Sequence, residues 1–501
     1  MSANGVVGEI LLMDTLEVAP DGLGAERHNA IDPYAHLGWP GAPHISAKAR
    51  RNLNRDEGVI AVAEPLLAKD FPMSPGMRGF MTAAVPLGAL IAAIFAGPII
   101  DRFGRRRVLM FAAALFTAGA LIAGLITAIW MLVAARLVLG IAIGLAAVGA
   151  PLYISETAPI RSRGAMVSTY QLAITIGILI SYLTGLAITG DGMWRHMFGL
   201  GAIPGLLFLF GLAFLPESPR WLILKGHADL ARASLARLRD ARWDVDGELN
   251  EMVATARAEA GRSAGYKALR EPHIRPAVIV AVTLFFLQQL SGINAVIYYA
   301  PEIFNHAGFG SAETRILATV GIGTVNFATT ILAMFLIDRL GRRPLLVLVL
   351  GFAGAAATML IIALAVTNPT LVPSWLVIAM LMLYIASFAI AIGPLPHVMM
   401  SEIFPLRVRG PGMSTASISN WGFNFVVVFA FPLMLAGPGL AFTFTVFAVI
   451  CLGGIAFTLL RVPETTGHSL EAIEKHLGSG KPLASLRREV IVSVTIVATQ
   501  K

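Results

Sequence analysis

Long apolar runs alternate with short polar intervals over most of the chain. Eleven of the runs approach or exceed the roughly 20 residues that a helix needs to cross a bilayer. They lie at about 79–100, 108–129, 131–154, 165–189, 196–215, 276–300, 314–337, 344–366, 374–400, 412–434 and 438–460. A shorter apolar piece, 58–68, precedes them and is interrupted by Glu64. The pattern predicts an all-α membrane protein.

The intervals between the runs divide the chain into five parts. The longest interval is charged and alanine-rich, and its helical spacing at 228–238 and 249–260 predicts short amphipathic helices, with a flexible linker as the alternative. The tail is polar and begins a further short helix at Ser469. The predicted parts are an atypical polar segment (1–55), a first helix bundle (56–215), a cytoplasmic helical linker (216–275), a second helix bundle (276–462) and a cytoplasmic tail (463–501).

Three motifs occur twice, in the same order. DRFGRR at 101–106 returns as DRLGRR at 338–343, SETAPIRSRG at 155–164 as SEIFPLRVRG at 401–410, and PES at 216–218 as PET at 463–465. The offsets are 338 − 101 = 237, 401 − 155 = 246 and 463 − 216 = 247. An ordered repeat at nearly one spacing indicates a duplication. We therefore expect two pseudo-symmetric bundles of six helices, with the first helix of the first bundle incomplete.

Composition and charge agree with this prediction. Hydrophobic residues make up 56% of the chain and charged residues 14%, whereas a soluble domain has about a quarter charged residues. The net charge of +8 lies in short basic loops, which is typical of the cytoplasmic side of a membrane protein and does not indicate nucleic-acid binding. We expect a multi-pass protein of the cell membrane (inner or plasma membrane) with both termini cytoplasmic.

Several classes of chemistry have no support in the sequence. Cys451 is the single cysteine, so no intramolecular disulfide and no cysteine-based metal site is expected. No phosphate-binding loop of the GxxxxGK[ST] type is present, so ATP does not drive the protein directly. No pairing of a nucleophile with a base and no metal-ligand cluster is evident. We expect neither an enzyme nor a bound cofactor.

Amide side chains in the middle of the run at 276–300 are the main candidate site. Gln288, Gln289 and Asn294 share a broad sector of the helix, and Gly292 lets the backbone loosen or another helix approach. Polar groups inside a spanning helix usually face the bundle interior or a wet cavity. The stretch predicts a midplane site for an uncharged, hydroxyl-rich solute. The alternative is that the amides only tie helices together.

At this point the motifs resemble those of the sugar porter family of the major facilitator superfamily. The resemblance covers about 56–470 and includes both DRxGRR loops, PESPRWL at 216–222, QQLSGIN at 288–294 and PETTGHSLE at 463–471. It implies two six-helix bundles that rock around a central site and give alternating access. A monosaccharide or related polyol, protons and the lipid bilayer are then the expected partners.

The resemblance also implies which residues contact the sugar. They are Gln171 in the fifth helix, Gln288, Gln289 and Asn294 in the seventh, Asn326 in the eighth, and Asn420 and Trp421 in the eleventh. Amides offer a donor and an acceptor to neighbouring hydroxyls, and an aromatic ring covers the apolar face of a sugar. In the tenth helix His397 stands where the family typically has tryptophan. It either shifts substrate choice or is a tolerated substitution.

Charged residues at the basic helix ends form a predicted latch. Charge-assisted pairs between the two bundles would hold the outward-facing form, and breaking them would open the inner side. The alternative is that the charges only fix topology. The residues are Asp101, Arg105, Glu156, Arg163, Asp338, Arg342, Glu402 and Arg409.

Coupling to protons is predicted from Asp56. The stretch DEGVI at 56–60 resembles the first-helix motif whose aspartate distinguishes proton-coupled members, and Arg136 in the fourth helix is the expected partner. An arginine deep in a span needs a counter-charge, so a carboxylate that protonates and releases it would act as the coupling switch. We expect proton symport, with an uncoupled carrier as the alternative.

The stretch before Asp56 departs from the family pattern. An apolar half-helix is expected there, but 47–55 reads AKARRNLNR, which would be costly to bury in a bilayer. We interpret 1–55 as the product of a frameshift or a wrong start. A chain made with this segment is a candidate for a product without transport. A sugar sensor is a further alternative, although such sensors usually need longer cytoplasmic tails.

Overall fold

The fold is known from a computed structural model. It describes residues 56–158, 163–188, 193–239, 243–259, 265–308, 311–347, 351–368, 373–465, 468, 470–479 and 481–486. Over these ranges every regular element of secondary structure is a helix. The interpretation of 1–55 as a misread segment concerns residues outside the described ranges.

The first half of the fold consists of seven helical pieces. Its first helix is short and contains Glu64, the residue that interrupts the apolar piece 58–68 in the sequence. Glu64 fits because Arg78 of the next helix neutralises it. The pieces are α1 (Asp56–Asp70), α2 (Pro75–Phe103), α3 (Arg105–Leu125), α4 (Ile129–Thr157), α5 (Arg163–Ala187), α6 (Trp194–Leu200) and α7 (Ala202–Phe214).

The charged interval forms helices, as its spacing predicted. It contains α8 (Pro219–Leu224), α9 (Ala228–Leu238), α10 (Val245–Glu259) and a 3₁₀ turn (Tyr266–Arg270). Arg239 joins this layer to the first half, because its guanidinium donates to the Thr157 carbonyl at 2.8 Å and to both oxygens of Glu248.

The second half follows the same order of spans, and two of its breaks matter for the site. One helix ends at Leu290 before the next begins at Ile293, and a π-helical turn (Phe388–Ile392) interrupts a later span. The pieces are α11 (Arg275–Leu290), α12 (Ile293–His306), α13 (Ala312–Leu340), α14 (Arg342–Val347), α15 (Phe352–Thr367), α16 (Ser374–Ser387), α17 (Leu395–Ile403), α18 (Arg409–Ala436) and α19 (Leu440–Arg461). The tail adds α20 (Leu470–Gly478), as predicted from 469 onward.

Ten helical stretches in the described part of the chain are long and apolar enough to cross a membrane. A shorter apolar stretch, Leu172–Ala187, belongs to α5. Large apolar side chains on the outer faces are exposed, including Phe111, Leu364 and Leu460. Such faces are stable in lipid, which is as apolar as they are. The chain is a multi-pass membrane protein, and each of the eleven predicted runs corresponds to one helix or to two or three consecutive helical pieces.

Two ends of the bundle can be distinguished. We call the end that carries Arg105 and Arg342 the basic end, and the other end the opposite end. α2 runs from the opposite end at Pro75 toward the basic end, and α11 starts at the basic end. The two halves meet along α2 and α18, and along α5 and α13.

Candidate functional site

A break in one membrane span creates the centre of the site. Gly292 has φ +94°, in the left-handed region that favours glycine, and it separates α11 from α12. A Cβ on this residue would lie 2.4 Å from the ring of Phe447. Both roles predicted for Gly292, a loosened backbone and a close helix neighbour, are confirmed.

Amide side chains on either side of this break form a chain of hydrogen bonds. Asn294 Nδ2 on α12 donates to Gln289 Oε1, and Gln289 Nε2 on α11 donates to Asn420 Oδ1 on α18. Gln289 and Asn420 are buried, while Asn294 is half-buried. The structure therefore brings together three of the predicted site residues from two membrane spans, and leaves one of them accessible.

Gln288 lies beside this chain but binds backbone. Its Nε2 donates to the carbonyls of Ile392 (3.1 Å) and Gly393 (2.6 Å), where the π-helical turn ends. The Ile392 carbonyl needs a donor because Pro396, four residues later, has no N–H. Gln288 thus supplies a missing helical hydrogen bond and joins α11 to the break before α17. Its Oε1 lies 3.5 Å from Gln289 Nε2.

His397 is held next to Gln288 in a defined tautomer. Its Nδ1 lies 3.1 Å from the Gly393 carbonyl, which can only accept, so Nδ1 carries the proton. The other ring nitrogen, Nε2, is then an acceptor, and it has no hydrogen-bond partner among the described residues. The ring packs edge-to-face on Phe285, with centroids 4.7 Å apart. His397 therefore offers a spare acceptor beside the amides.

Trp421 and Asn326 are placed differently from the amide chain. Trp421 is buried (1% exposed) in an apolar cluster with Val85 and Ala89 of the first half. It packs across the two halves in this conformation, and its role as a cover for the sugar ring stays a prediction. Asn326 is buried on α13. The predicted contact Gln171 lies on α5, and its side chain is outside the described part of the structure.

Sequence reasoning missed Asn424, one helical turn after Asn420. It is buried (1% exposed), and its Oδ1 has no hydrogen-bond partner in the described part of the chain. A buried polar atom without a partner costs about 1–3 kcal/mol, so a ligand hydroxyl that donates to it would be favoured. The sequence contained a signal for Asn424. It lies four residues after the candidate Asn420, and residues four apart on a helix share a face.

The deep arginine, Arg136, is bound to backbone of the first half. It is 2% exposed, and it donates to the carbonyls of Met81 (2.9 Å) and Thr82 (3.3 Å) on α2. The Thr82 carbonyl is available because Pro86 lacks the N–H that would bind it. The predicted partner Asp56 begins α1, and its side chain is outside the described part of the structure. Their pairing stays a prediction.

The latch residues at the basic end form two similar networks. In the first half Arg105 binds both oxygens of Glu156, at 2.9 and 3.0 Å, and Ser218 donates to the same carboxylate. In the second half Arg342 lies 3.1 Å from Glu402, and Thr465 donates to it at 2.6 Å. The chain repeat has therefore kept an arginine, a carboxylate and a hydroxyl in corresponding places, and the arginine is buried in the first half and half-buried in the second.

A second carboxylate caps the helix that carries each arginine. Glu217 accepts from the backbone N–H groups of residues 105 and 106, at 3.0 Å each. Glu464 accepts from those of residues 342 and 343, at 3.1 and 3.0 Å. Residues 104 and 341 are both glycine and have no side chain to cap α3 and α14, so the distant glutamates satisfy these helix starts.

These pairs differ from the sequence-based expectation in one respect. Pairs between the bundles were expected, but Arg105–Glu156 and Arg342–Glu402 each join helices of one half. The reason is that each arginine belongs to a DRxGRR motif and is the first residue of the following helix, and each glutamate lies near the end of another span of the same half. Asp101 lies 3.1 Å from Arg105 on an exposed turn. The side chains of Arg163 and Asp338 are outside the described part, and Arg409 keeps its predicted role as a proposal.

Comparisons with known proteins agree with this fold and site. The family described as "Sugar (and other) transporter" matches residues 55–477. The galactose-proton symporter of Escherichia coli K12 is 38% identical over 446 residues, which are 88% of this chain and 95% of that protein. The arabinose-proton symporter of the same strain is 36% identical over 436 residues, which are 86% of this chain and 92% of that protein.

A metabolite transporter and a solved structure give the same result. The putative metabolite transport protein YwtG of Bacillus subtilis is 38% identical over 424 residues, covering 84% of this chain and 91% of that protein. The E. coli xylose transporter XylE in a partially occluded inward open conformation superposes with a TM-score of 0.70 at 28% identity, over 82% of this chain and 95% of XylE.

Proposed function

The chain belongs to the sugar porter family of the major facilitator superfamily, and on that premise we propose that it is a proton symporter for a monosaccharide or related polyol. It transports sugar and is not an enzyme. Beyond sugar transport itself, we propose the class of substrate, the use of the proton gradient and alternating access between the two halves. The bundles 56–215 and 276–462 are the moving units, and 216–275 links them.

The amide chain Asn294–Gln289–Asn420 carries the proposal. Each amide can turn a donor or an acceptor toward a hydroxyl, and a hydroxyl can replace any link of the chain without leaving a buried group unpaired. Asn424 Oδ1 and His397 Nε2 add two acceptors that have no partner among the described residues. Several acceptors, with no charged side chain among these described amides and His397, suit a neutral polyhydroxylated solute better than an ionic one.

Proton coupling is supported by the buried residue Arg136 and by the names of related transporters. Arg136 is buried and donates to the uncharged carbonyls of Met81 and Thr82, so a carboxylate that approaches it would be strongly stabilised in its charged form. Asp56 begins the helix that precedes α2 and is our candidate. The relatives named as galactose-proton and arabinose-proton symporters favour the same mechanism. When Asp56 binds a proton its hold on Arg136 would weaken.

Orientation follows from the basic end. Short Lys/Arg-rich loops favour the cytoplasmic side, so we place Arg105 and Arg342 there, with both termini cytoplasmic in the inner or plasma membrane. The opposite end, with Arg78, is then extracellular. The networks of Arg105 and Arg342 then lie at the cytoplasmic mouth, each within its own half.

Uptake measurements test the proposal. Cells that express the chain receive a panel of labelled hexoses, pentoses and inositol, with and without a protonophore. We expect protonophore-sensitive accumulation of at least one of them. Asp56→Asn should abolish accumulation but keep exchange of labelled for unlabelled sugar, since exchange needs no net proton movement. Asp229→Asn, on the exposed linker helix α9, is the matched control.

The alternatives give different results in the same experiment. Uptake that equilibrates and ignores the protonophore would establish an uncoupled carrier. Accumulation that survives Asp56→Asn would contradict the role of Asp56. Absence of uptake together with normal membrane insertion would favour the non-transporting product, and replacing the residues before Asp56 with an apolar half-helix would then restore uptake if those residues are responsible.

A further inference from the structure

One guanidinium at the opposite end touches both halves of the fold. Arg78 lies in the first turn of α2, and its Nε is 2.5 Å from Glu64 Oε1 on α1. Its Nη2 is 3.7 Å from Glu302 Oε2 on α12, in the second half. Arg78 lies 23 residues before Asp101, about 35 Å along the helix, so it is far from the networks of the basic end.

The two contacts of Arg78 differ in strength. The Glu64 side chain is 3% exposed, and a buried carboxylate without its partner is strongly destabilising, so Arg78 stays with Glu64 in its own half. The Arg78 and Glu302 side chains are 23% and 22% exposed and farther apart. Solvent weakens such a pair. The strong contact therefore lies within one half, and the weak contact crosses between halves.

Glu302 has a second partner that keeps it satisfied when the crossing contact breaks. His306, one turn later on α12, has its Nε2 3.4 Å from Glu302 Oε1, whereas Arg78 approaches the other oxygen. Release of Arg78 therefore leaves neither carboxylate buried and alone. This arrangement suits a contact that opens and closes repeatedly.

Residues next to Arg78 and to Glu302 contact the same segment of α18. A Cβ on Gly79 would lie 2.4 Å from the Phe429 carbonyl oxygen, so the two backbones are in close contact. The Tyr299 hydroxyl, one turn before Glu302, donates to the Val428 carbonyl at 3.2 Å. The opposite end is therefore closed by α2, α12 and α18 together, and separating them must also break the Arg78–Glu302 contact.

We propose that Arg78 is an extracellular latch, anchored on Glu64 and released from Glu302 when the opposite end opens. The proposal rests on alternating access in the proposed function. The competing explanation is that Arg78 only neutralises Glu64 and that Glu302 is near it by chance. Removal of the Glu302 charge weakens closure of the opposite end if Arg78 is a latch, and leaves closure unchanged under the competing explanation.

Chemical cross-linking across the closed seam measures the latch directly. A Cβ on Gly76 would lie 3.8 Å from Leu433 Cδ2, so Gly76→Cys with Leu433→Cys places two thiols across the halves. Cys451 is the chain's single cysteine and is replaced by Ser to give the background. A short, membrane-permeant bifunctional methanethiosulfonate reagent is added to membrane vesicles, and the cross-linking rate reports how much protein is closed at this end.

We expect Arg78→Gln and Glu302→Gln each to slow cross-linking about two- to fivefold, the range for a partly exposed pair. The double variant should be no slower than the slower single variant, since both changes remove the same crossing contact between Arg78 and Glu302. Lys69→Gln, which removes an exposed positive charge at the same end, is the control and should leave the rate unchanged. Arg78→Lys keeps the positive charge, so its cross-linking rate should lie between those of the parent and of Arg78→Gln. This variant distinguishes loss of the charge from a general effect on folding.

Two results would overturn the latch. One is an unchanged rate in Glu302→Gln beside a slowed rate in Arg78→Gln, which would leave Arg78 as the partner of Glu64 alone. The other is absence of cross-linking in the parent, which would mean that this end is not closed. The rate needs no sugar and no proton gradient, so failure of the uptake experiments leaves this result readable. Normal sugar uptake with an unchanged Glu302→Gln rate would refute the latch alone.

Discussion

Gly292→Ala is the substitution that tests most directly how the site is built. It places a side chain on a residue with left-handed φ, which costs about 1–2 kcal/mol. It also places a Cβ 2.4–2.8 Å from three atoms of the Phe447 ring, an overlap of the kind that costs about 1–3 kcal/mol in a packed core. We expect a total loss of stability of about 2–5 kcal/mol.

A second variant separates the two causes. Phe447→Leu removes most of the overlap but leaves the backbone strain, so Gly292→Ala with Phe447→Leu should recover part of the loss. Gly453→Ala is the control, because Gly453 is an exposed helical residue with nothing within 4 Å of an added Cβ. That control should gain up to about 1 kcal/mol.

Thermal inactivation of detergent-purified protein measures the stability, and the apparent KM for the transported sugar measures the site. A helix that continues through residue 292 would turn Asn294 away from Gln289, so KM should rise together with the loss of stability. If Gly292→Ala were as stable as Gly453→Ala and had an unchanged KM, the break would not be what positions the amides.

Two further predictions concern the basic end and the spare acceptor His397. Glu156→Gln should lower stability by about 3–5 kcal/mol in thermal denaturation, as for removal of one partner from a buried pair. The corresponding Glu402→Gln should cost only about 1 kcal/mol because the Glu402 side chain is 24% exposed, and equal losses in the two variants would contradict the argument from burial. His397→Phe should weaken sugar binding about two- to tenfold, the effect of one lost hydrogen bond, while His397→Gln should retain more affinity. Equal affinity of His397→Phe and the parent would show that the ring only packs on Phe285.

The sequence predicted the spans and several members of the site. The apolar runs predicted the helices because a bilayer requires long helices whatever their partners are. The spacing of Gln288, Gln289 and Asn294 predicted a shared sector, and two of these residues form the amide chain with Asn420. Relatives and the sequence motifs agree on the family.

Other features could not be predicted because they depend on backbone groups that proline leaves without partners. Gln288 turns to a carbonyl freed by Pro396, and Arg136 turns to one freed by Pro86. Pattern reasoning assigned both side chains to other roles, the first to the sugar and the second to Asp56. Trp421 likewise occupies a cluster of the other half, because the crossing of α2 and α18 is set by packing that a linear pattern does not record.

The pairing of charges within each half has a mechanical consequence. Arg105 and Arg342 each bind a carboxylate of their own half, and the hydroxyl and the helix cap come from the segment that directly follows that half. Neither guanidinium, Arg105 at 5% exposed or Arg342 at 12% exposed, has to leave its carboxylate when one half tilts against the other. Each pair of charges therefore moves together with its own half. The electrostatic energy that the pairs contribute is nearly the same at every angle of the tilt.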